Sequence, residues 1–245
     1  MPAIKKAIDA GIPVITMGNK VEGGGNYSTL YPDYENMAMV ARALGTSLGG
    51  EGEVALLVGS RGNFVSDTRE KGFVETMAKE FPKITIVGIE PTGWDAAKAT
   101  NAAQTWLTTY PDLKGIGCIS DSLCLAADSV ATSMGTDLLY GGYDGDAEMK
   151  DMIDSGKMVM DVLTGAYRVG YWNIAVAARL AGGEELPKDL YMPTYFVTSD
   201  ATAAKLKAGG LSFESINTEK EAVEAKNYTE QLGPKVPASA MTVGK

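Results

Sequence analysis

Apolar residues in this chain fall into short, nearly continuous runs separated by amphipathic stretches. Ile12–Met17, Val54–Val58, Ile84–Ile89, Ile116–Ile119, Leu138–Gly142 and Met158–Leu163 are such runs. They read as parallel strands buried on both faces. Between them the apolar spacing becomes helical, over Ala3–Ala10, Tyr34–Leu48, Thr68–Phe81, Ala96–Thr109, Leu123–Met134, Ala147–Ser155 and Tyr167–Ala181. Asp33 and Asp67 are placed to cap two of these helices, while Gly11, Gly49-Gly50, Gly156 and Gly182-Gly183 fit helix stops. Tyr195–Val197 can add a last strand. Polar helical segments then follow at Ala201–Ala208 and Thr218–Ala225, with a loose end through Gly233-Pro234-Lys235-Val236-Pro237. The alternation across Val54–Leu163 predicts an α/β fold with a doubly wound parallel sheet.

Open sheets of this kind bind ligands outside the C-terminal ends of their strands. Ile116–Asp144 supplies a strand, a helix and a second strand, and each strand delivers a carboxylate at that end, Asp121 and Asp144. Both are expected to face a ligand crevice, although Asp121 equally fits the cap of the helix that follows it. Asn19 and Lys20 follow the first strand, and Trp94 follows another in the polar context Thr92-Gly93-Trp94-Asp95. That context favours the crevice over the core for the indole. The run Gly23-Gly24-Gly25-Asn26 has neither GxGxxG nor GxxxxGK[ST] spacing and reads as a flexible connection.

Composition narrows the chemistry. The 245 residues are 45% hydrophobic and 22% charged, ordinary for one or two globular domains, and no apolar run is long enough to span a membrane. A net charge of −9 without a basic cluster argues against nucleic acid as the main partner. The chain has no histidine, which removes Ser-His-Asp and Cys-His catalysis and His-ligated metals together. No enzymatic activity, metal or cofactor is therefore expected. Cys118 and Cys124 both fall in apolar runs and read as buried free thiols.

Four phrases occur in order with the strand–helix pattern: 10–16 (Ala-Gly-Ile-Pro-Val-Ile-Thr), 69–73 (Arg-Glu-Lys-Gly-Phe), 111–116 (Pro-Asp-Leu-Lys-Gly-Ile) and 142–145 (Gly-Tyr-Asp-Gly). Together they resemble the type I periplasmic sugar-binding proteins of ABC transporters, in the ribose-binding branch, over roughly Pro2 to Thr198. The resemblance implies two doubly wound parallel-sheet lobes that close on one sugar by hinge motion. Residues 1–32 and 165–193 would form the N-terminal lobe, and 33–164 with 194–245 the C-terminal lobe and its helical tail. The chain opens in what reads as mid-helix, without the family's signal segment, first two βα units and a third strand. The N-terminal lobe is accordingly expected to be incomplete.

By the same resemblance Trp94 takes the place of a stacking aromatic, and Asp144 that of an aspartate bonding sugar hydroxyls. Ser120 stands where relatives carry asparagine, beside the retained Asp121. Asp67 and Arg69 lie where ribose binders carry arginines, and Arg69 is equally open to a structural role. Asn19 lies in the place of an Asp-Arg pair and Thr164 in that of a hinge glutamine, so ribose is not assigned. The implied partners are a small sugar or polyol and the membrane permease subunits of an importer. The implied location is periplasmic or extracellular, with a lipid anchor in a Gram-positive cell. The alternative is the effector-binding domain of a LacI-type repressor, which shares the fold.

Overall fold

The computed structural model describes residues 2–21, 23–192 and 194–225; the expected loose tail beyond 225 lies outside them. In chain order the first elements are α1 (Pro2–Asp9), β1 (Ile15–Met17), β2 (Tyr27–Leu30), α2 (Asp33–Ser47), β3 (Glu51–Val58), α3 (Phe64–Glu80), β4 (Lys83–Pro91) and α4 (Ala96–Thr109). Then come β5 (Leu113–Cys118), α5 (Asp121–Ser133), β6 (Leu139–Gly141), a 3-10 turn (Ala147–Met149), α6 (Lys150–Asp154) and β7 (Met158–Leu163). The last are α7 (Ala166–Ala181), β8 (Asp189–Tyr191), β9 (Tyr195–Val197), α8 (Asp200–Ala208), β10 (Ser215–Ile216) and α9 (Thr218–Glu224).

The chain divides into two compact units. The first takes Met1–Pro32, Thr164–Thr194 and the segment from Val223; the second takes Asp33–Leu163 and Tyr195–Ala222. In the first unit β1, β2 and β8 form a three-stranded parallel sheet in that order. Tyr31, Trp172, Val176, Leu190 and Met192 build its core. The pattern of apolar runs does not reveal β2, because its centre is Ser28-Thr29. Those residues can be buried because their hydroxyls are paired. Thr16 Oγ1 donates to Ser28 Oγ at 3.0 Å, and Thr29 Oγ1 donates to Asn173 Oδ1 at 2.7 Å.

The second unit holds a seven-stranded sheet of order β10-β9-β7-β6-β5-β3-β4, parallel except where β9 runs antiparallel to β7. Strand β3 shows why the runs read as they do: Val54, Ala55, Leu56, Leu57 and Val58 are all fully buried. Val54, Leu56 and Val58 pack with Met37, Val40, Phe73 and Met77 of α2 and α3. On the opposite face Ala55 pairs with Gly88 of β4, and a side chain at Gly88 would run into the Trp106 indole of α4. Helices therefore cover both faces of the sheet.

Two expected caps are corrected. Helix α3 begins before Asp67, with Asn63 as its N-cap accepting the Ser66 N–H at 3.1 Å. The exposed Asp67 carboxylate instead accepts the Gly62 N–H at 3.0 Å. Asp33 is the first residue of α2, and its buried carboxylate turns inward to Arg69.

Helices α2 and α3 approach closely at Gly72, where a Cβ would fall on the Tyr34 carbonyl oxygen. Backbone cannot yield as a flexible side chain can. Gly72→Ala is expected to cost about 1–3 kcal/mol in denaturant unfolding, and an unchanged midpoint would contradict this packing.

Candidate functional site

Because β3 to β7 run parallel, their C-terminal ends share one edge of the second unit's sheet. Trp94 follows β4, Ser120 follows β5 and Asp144 follows β6 there. Among the described residues, Trp94 at φ +67° and Asp144 at φ +131° are the only non-glycine residues with positive φ. Such conformations cost on the order of 1–3 kcal/mol each and persist where the surroundings enforce them. At Trp94 the enforcing contacts come from its own turn and from the end of β3. Its N–H is held by Thr92 Oγ1 at 3.1 Å, and its indole lies against Gly59 at the end of β3, where a Cβ would collide with the ring. The side chain stays 39% exposed, so the indole is neither a core residue nor free of the sheet.

At Asp144 the enforcing contacts come from distant parts of the chain. Its N–H donates to the Val162 carbonyl at 3.0 Å, tying the turn after β6 to β7. Ser120 Oγ donates to Asp144 Oδ2 at 2.7 Å, and Arg69 Nη1 donates to Oδ1 at 3.3 Å. The carboxylate remains about a third exposed, at 33%. Burial pushes its pKa up, and Arg69 and Ser120 oppose that rise.

Arg69 is buried and held from several sides. Nε donates to Asp33 Oδ1 at 2.8 Å, Nη1 also donates to the Ile119 carbonyl at 2.7 Å, and the guanidinium lies 3.4 Å from the centroid of the Tyr143 ring. Tyr143 in turn donates its hydroxyl to Asp33 Oδ1 at 2.7 Å and accepts from Asn36 Nδ2 at 2.9 Å. Burial works against the charge on Arg69, but Tyr143, Asp33 and Asp144 outweigh it and raise its pKa. Of the two roles left open for Arg69, the geometry shows a brace behind Asp144. Asp33, Asn36 and Tyr143 complete that brace, and reading along the chain misses them, because their partnership spans 107 and 110 positions. Tyr143, inside the Gly-Tyr-Asp-Gly phrase, is the one local hint.

The expectation that both strand-end carboxylates face a crevice is corrected for Asp121. It is fully buried, and its oxygens accept the N–H groups of Tyr143 at 3.0 Å, Gly145 at 3.0 Å and Asp146 at 2.9 Å. It neither caps its helix nor reaches solvent; it clamps the turn that presents Asp144. Behind it lies a second buried carboxyl, Asp161 of β7, whose Oδ1 accepts the Val162 N–H at 2.6 Å and whose charge would raise Asp121. Burial pushes both carboxyls up, Asp121 well above the usual range and Asp161 to about 8.

The buried-thiol expectation is also corrected. Cys118 and Cys124 are joined in a disulfide, with Cα atoms 5.6 Å apart. Asp67 sits on the exposed side of the first turn of α3. Asn19, in a bend after β1, and Thr164, whose carbonyl accepts from the Tyr31 hydroxyl at 3.4 Å, belong to the first unit.

Residues 1–185 match the periplasmic binding protein domain family. The chain belongs to that family. The D-allose-binding periplasmic protein of Escherichia coli is 32% identical over 64% of this chain and 51% of its own length. The ribose import binding protein of Salmonella typhimurium is 26% identical over 75% of this chain and 62% of its own length. This chain thus spans between half and two thirds of these curated relatives. Among solved structures, an ABC transporter solute binding protein from Mycobacterium smegmatis with bound glycerol superposes with a TM-score of 0.76 at 28% identity, covering 88% of this chain and 75% of that one. The α/β arrangement expected from the sequence is the type I periplasmic-binding-protein fold of these relatives, in the ribose-binding-like branch.

The buried acids give the family member a pH signature. Asp161 is raised to about 8 by burial and by Glu221, and Glu221 to about 7 by burial and by Asp154. In the unfolded chain both would lose their protons near pH 4. The folded chain therefore holds more protons than the unfolded one between about pH 4 and pH 8, and its stability falls as pH rises through that window. Asp161→Asn keeps the side-chain volume and removes the ionisation. It is expected to raise the melting temperature at pH 8 by about 2–4 °C and to flatten the decline from pH 5 to pH 8. Calorimetric scans at the two pH values check this; an unaltered slope would contradict the raised Asp161 carboxyl.

Proposed function

We propose that this chain is the solute-binding part of an ABC importer for a monosaccharide or similar polyol, and that it is not an enzyme. The observation that carries the reading is Asp144. It is a part-exposed carboxylate at a strand end, held in a strained backbone by Arg69 and Ser120, on the sheet edge that also carries the half-exposed Trp94. A sugar presents hydroxyls that donate to a carboxylate and a C–H face that fits an indole. Preorganised acceptors of this kind lose little freedom on binding, which favours affinity without chemistry. Ser120 is proposed to tune the site through the Asp144 oxygen it holds. Arg69 and Asp121 act through Asp144.

The relatives' names speak of allose and ribose, and the similar solved structure holds glycerol, so the proposed ligand class is small and polyhydroxylated. Which member of that class fits depends on hydroxyl pairing, and a buried unpaired hydroxyl discriminates strongly. The relatives' import role supports permease subunits as the macromolecular partner. The Cys118–Cys124 disulfide supports a periplasmic or extracellular location, because such links persist in oxidising compartments.

Fluorescence titration with D-ribose, D-allose and other monosaccharides tests the reading. One sugar is expected to change Trp94 emission saturably. Trp94→Ala is expected to weaken that sugar at least about tenfold, through lost apolar contact. Asp144→Ala is expected to weaken it by about 2–5 kcal/mol, since it removes a charged acceptor and leaves hydroxyls unpaired. No saturable response to any monosaccharide in a folded sample would falsify the proposal.

A further inference from the structure

The disulfide closes a small ring of chain, Cys118 to Cys124, between the end of β5 and the first turns of α5. That ring carries three of the groups that fix Asp144. The Ile119 carbonyl takes the Arg69 guanidinium at 2.7 Å, which orients the donor facing Asp144 Oδ1. Ser120 Oγ donates to Asp144 Oδ2 at 2.7 Å. Asp121 accepts the amides of Tyr143, Gly145 and Asp146, the turn on either side of Asp144. In return the Asp121 N–H donates to the Tyr143 carbonyl at 2.8 Å. Both sulfurs are fully buried. None of these contacts involves the strand body of β5, which its neighbours β3 and β6 already hold in register.

We infer that the Cys118–Cys124 disulfide is a positioning element of the ligand site, holding the Ile119–Ser120–Asp121 corner in the conformation that presents Asp144. The inference rests on the proposed sugar site, since presentation of Asp144 matters only if Asp144 meets the ligand. The sheet does not need the link. β5 is parallel-paired on both sides, and its buried residues Leu113, Ile116 and Cys118 sit among well-packed neighbours. The corner does need it. It leaves the strand, reverses polarity from Ile119 to Ser120-Asp121, and enters a helix whose N-cap, Ser120, makes no side-chain capping bond because its hydroxyl is spent on Asp144. A corner without its own cap is held from outside, and the cross-link supplies that hold. A short closed loop removes many of the open conformations such a corner could visit.

The first test asks whether the link exists. The protein is unfolded in guanidinium without reductant and treated with iodoacetamide. No mass gain is expected; two alkylated cysteines would overturn the inference. The second test compares hydrogen exchange in the native protein and in the Cys118→Ala/Cys124→Ala pair. The amides of Tyr143, Gly145 and Asp146 are expected to exchange roughly tenfold faster or more in the pair, while Leu56 and Leu57 of β3 keep their protection. Unchanged turn amides, or equal loosening of turn and β3, would overturn it, the latter marking a general staple. A Cys118→Val/Cys124→Ala pair of larger core volume guards against a cavity effect. Failure of both pairs to fold also counts against the inference. The exchange readout uses no sugar. In parallel, calorimetry with D-allose and D-ribose is expected to show at least tenfold weaker binding in the pair. If the unaltered protein binds neither sugar nor any other monosaccharide, the sugar reading falls while the exchange result still decides the role of the disulfide.

Discussion

A buried guanidinium has to be matched by charge and hydrogen bonds, and the second unit is arranged around meeting that demand for Arg69. Asp33 from the start of α2, the Ile119 carbonyl from the end of β5, Asp144 from the end of β6 and the face of Tyr143 converge on it. Removing one partner from such a set leaves an uncompensated buried charge, a loss of about 3–5 kcal/mol. The set therefore fixes the spacing of a helix start and two strand ends at once. The strained backbone at Asp144 is tolerable only because those donors over-determine its position.

Ligand chemistry follows from the same constraint. Asp144 has one oxygen facing Arg69 and the other facing Ser120, so its orientation is set before any ligand arrives. Behind it, Asp121 occupies three backbone amides, and burial pushes both it and Asp161 toward the neutral form. Trp94 is fixed separately, by Thr92 and by the absence of a side chain at Gly59. A flat apolar ring and an oriented carboxylate, each held by its own support, suit a ligand with one C–H face and a rim of hydroxyls.

Strands buried on both faces are legible as apolar runs, which is why β3 and β7 could be placed from Val54–Val58 and Met158–Leu163. Strand β2 escaped because Ser28 and Thr29 are made buriable by partners at Thr16 and Asn173, and no local pattern records those partners. Asp121 and Asp144 have the same local setting, a carboxylate just past a strand. What separates them is that one meets the amides of Tyr143, Gly145 and Asp146 while the other meets Arg69 and Ser120. The caps failed for a related reason: Asp33 is drawn inward by Arg69, and Asn63 was available to start α3 earlier. Two cysteines in apolar runs do not reveal whether their Cα atoms approach to 5.6 Å. The resemblance to sugar-binding proteins singled out Trp94 and Asp144 as candidates, and the contacts supplied the reason they are held as they are.

The most direct test of this account is a crystal structure of the protein grown with the monosaccharide that binds it. The account predicts sugar hydroxyls within hydrogen-bond distance of the Asp144 carboxylate, a C–H face on the Trp94 indole, and Arg69 still bonded to Asp33 and Ile119. A bound sugar that leaves the Asp144 carboxylate untouched, or that draws Arg69 away from Asp33, would contradict it.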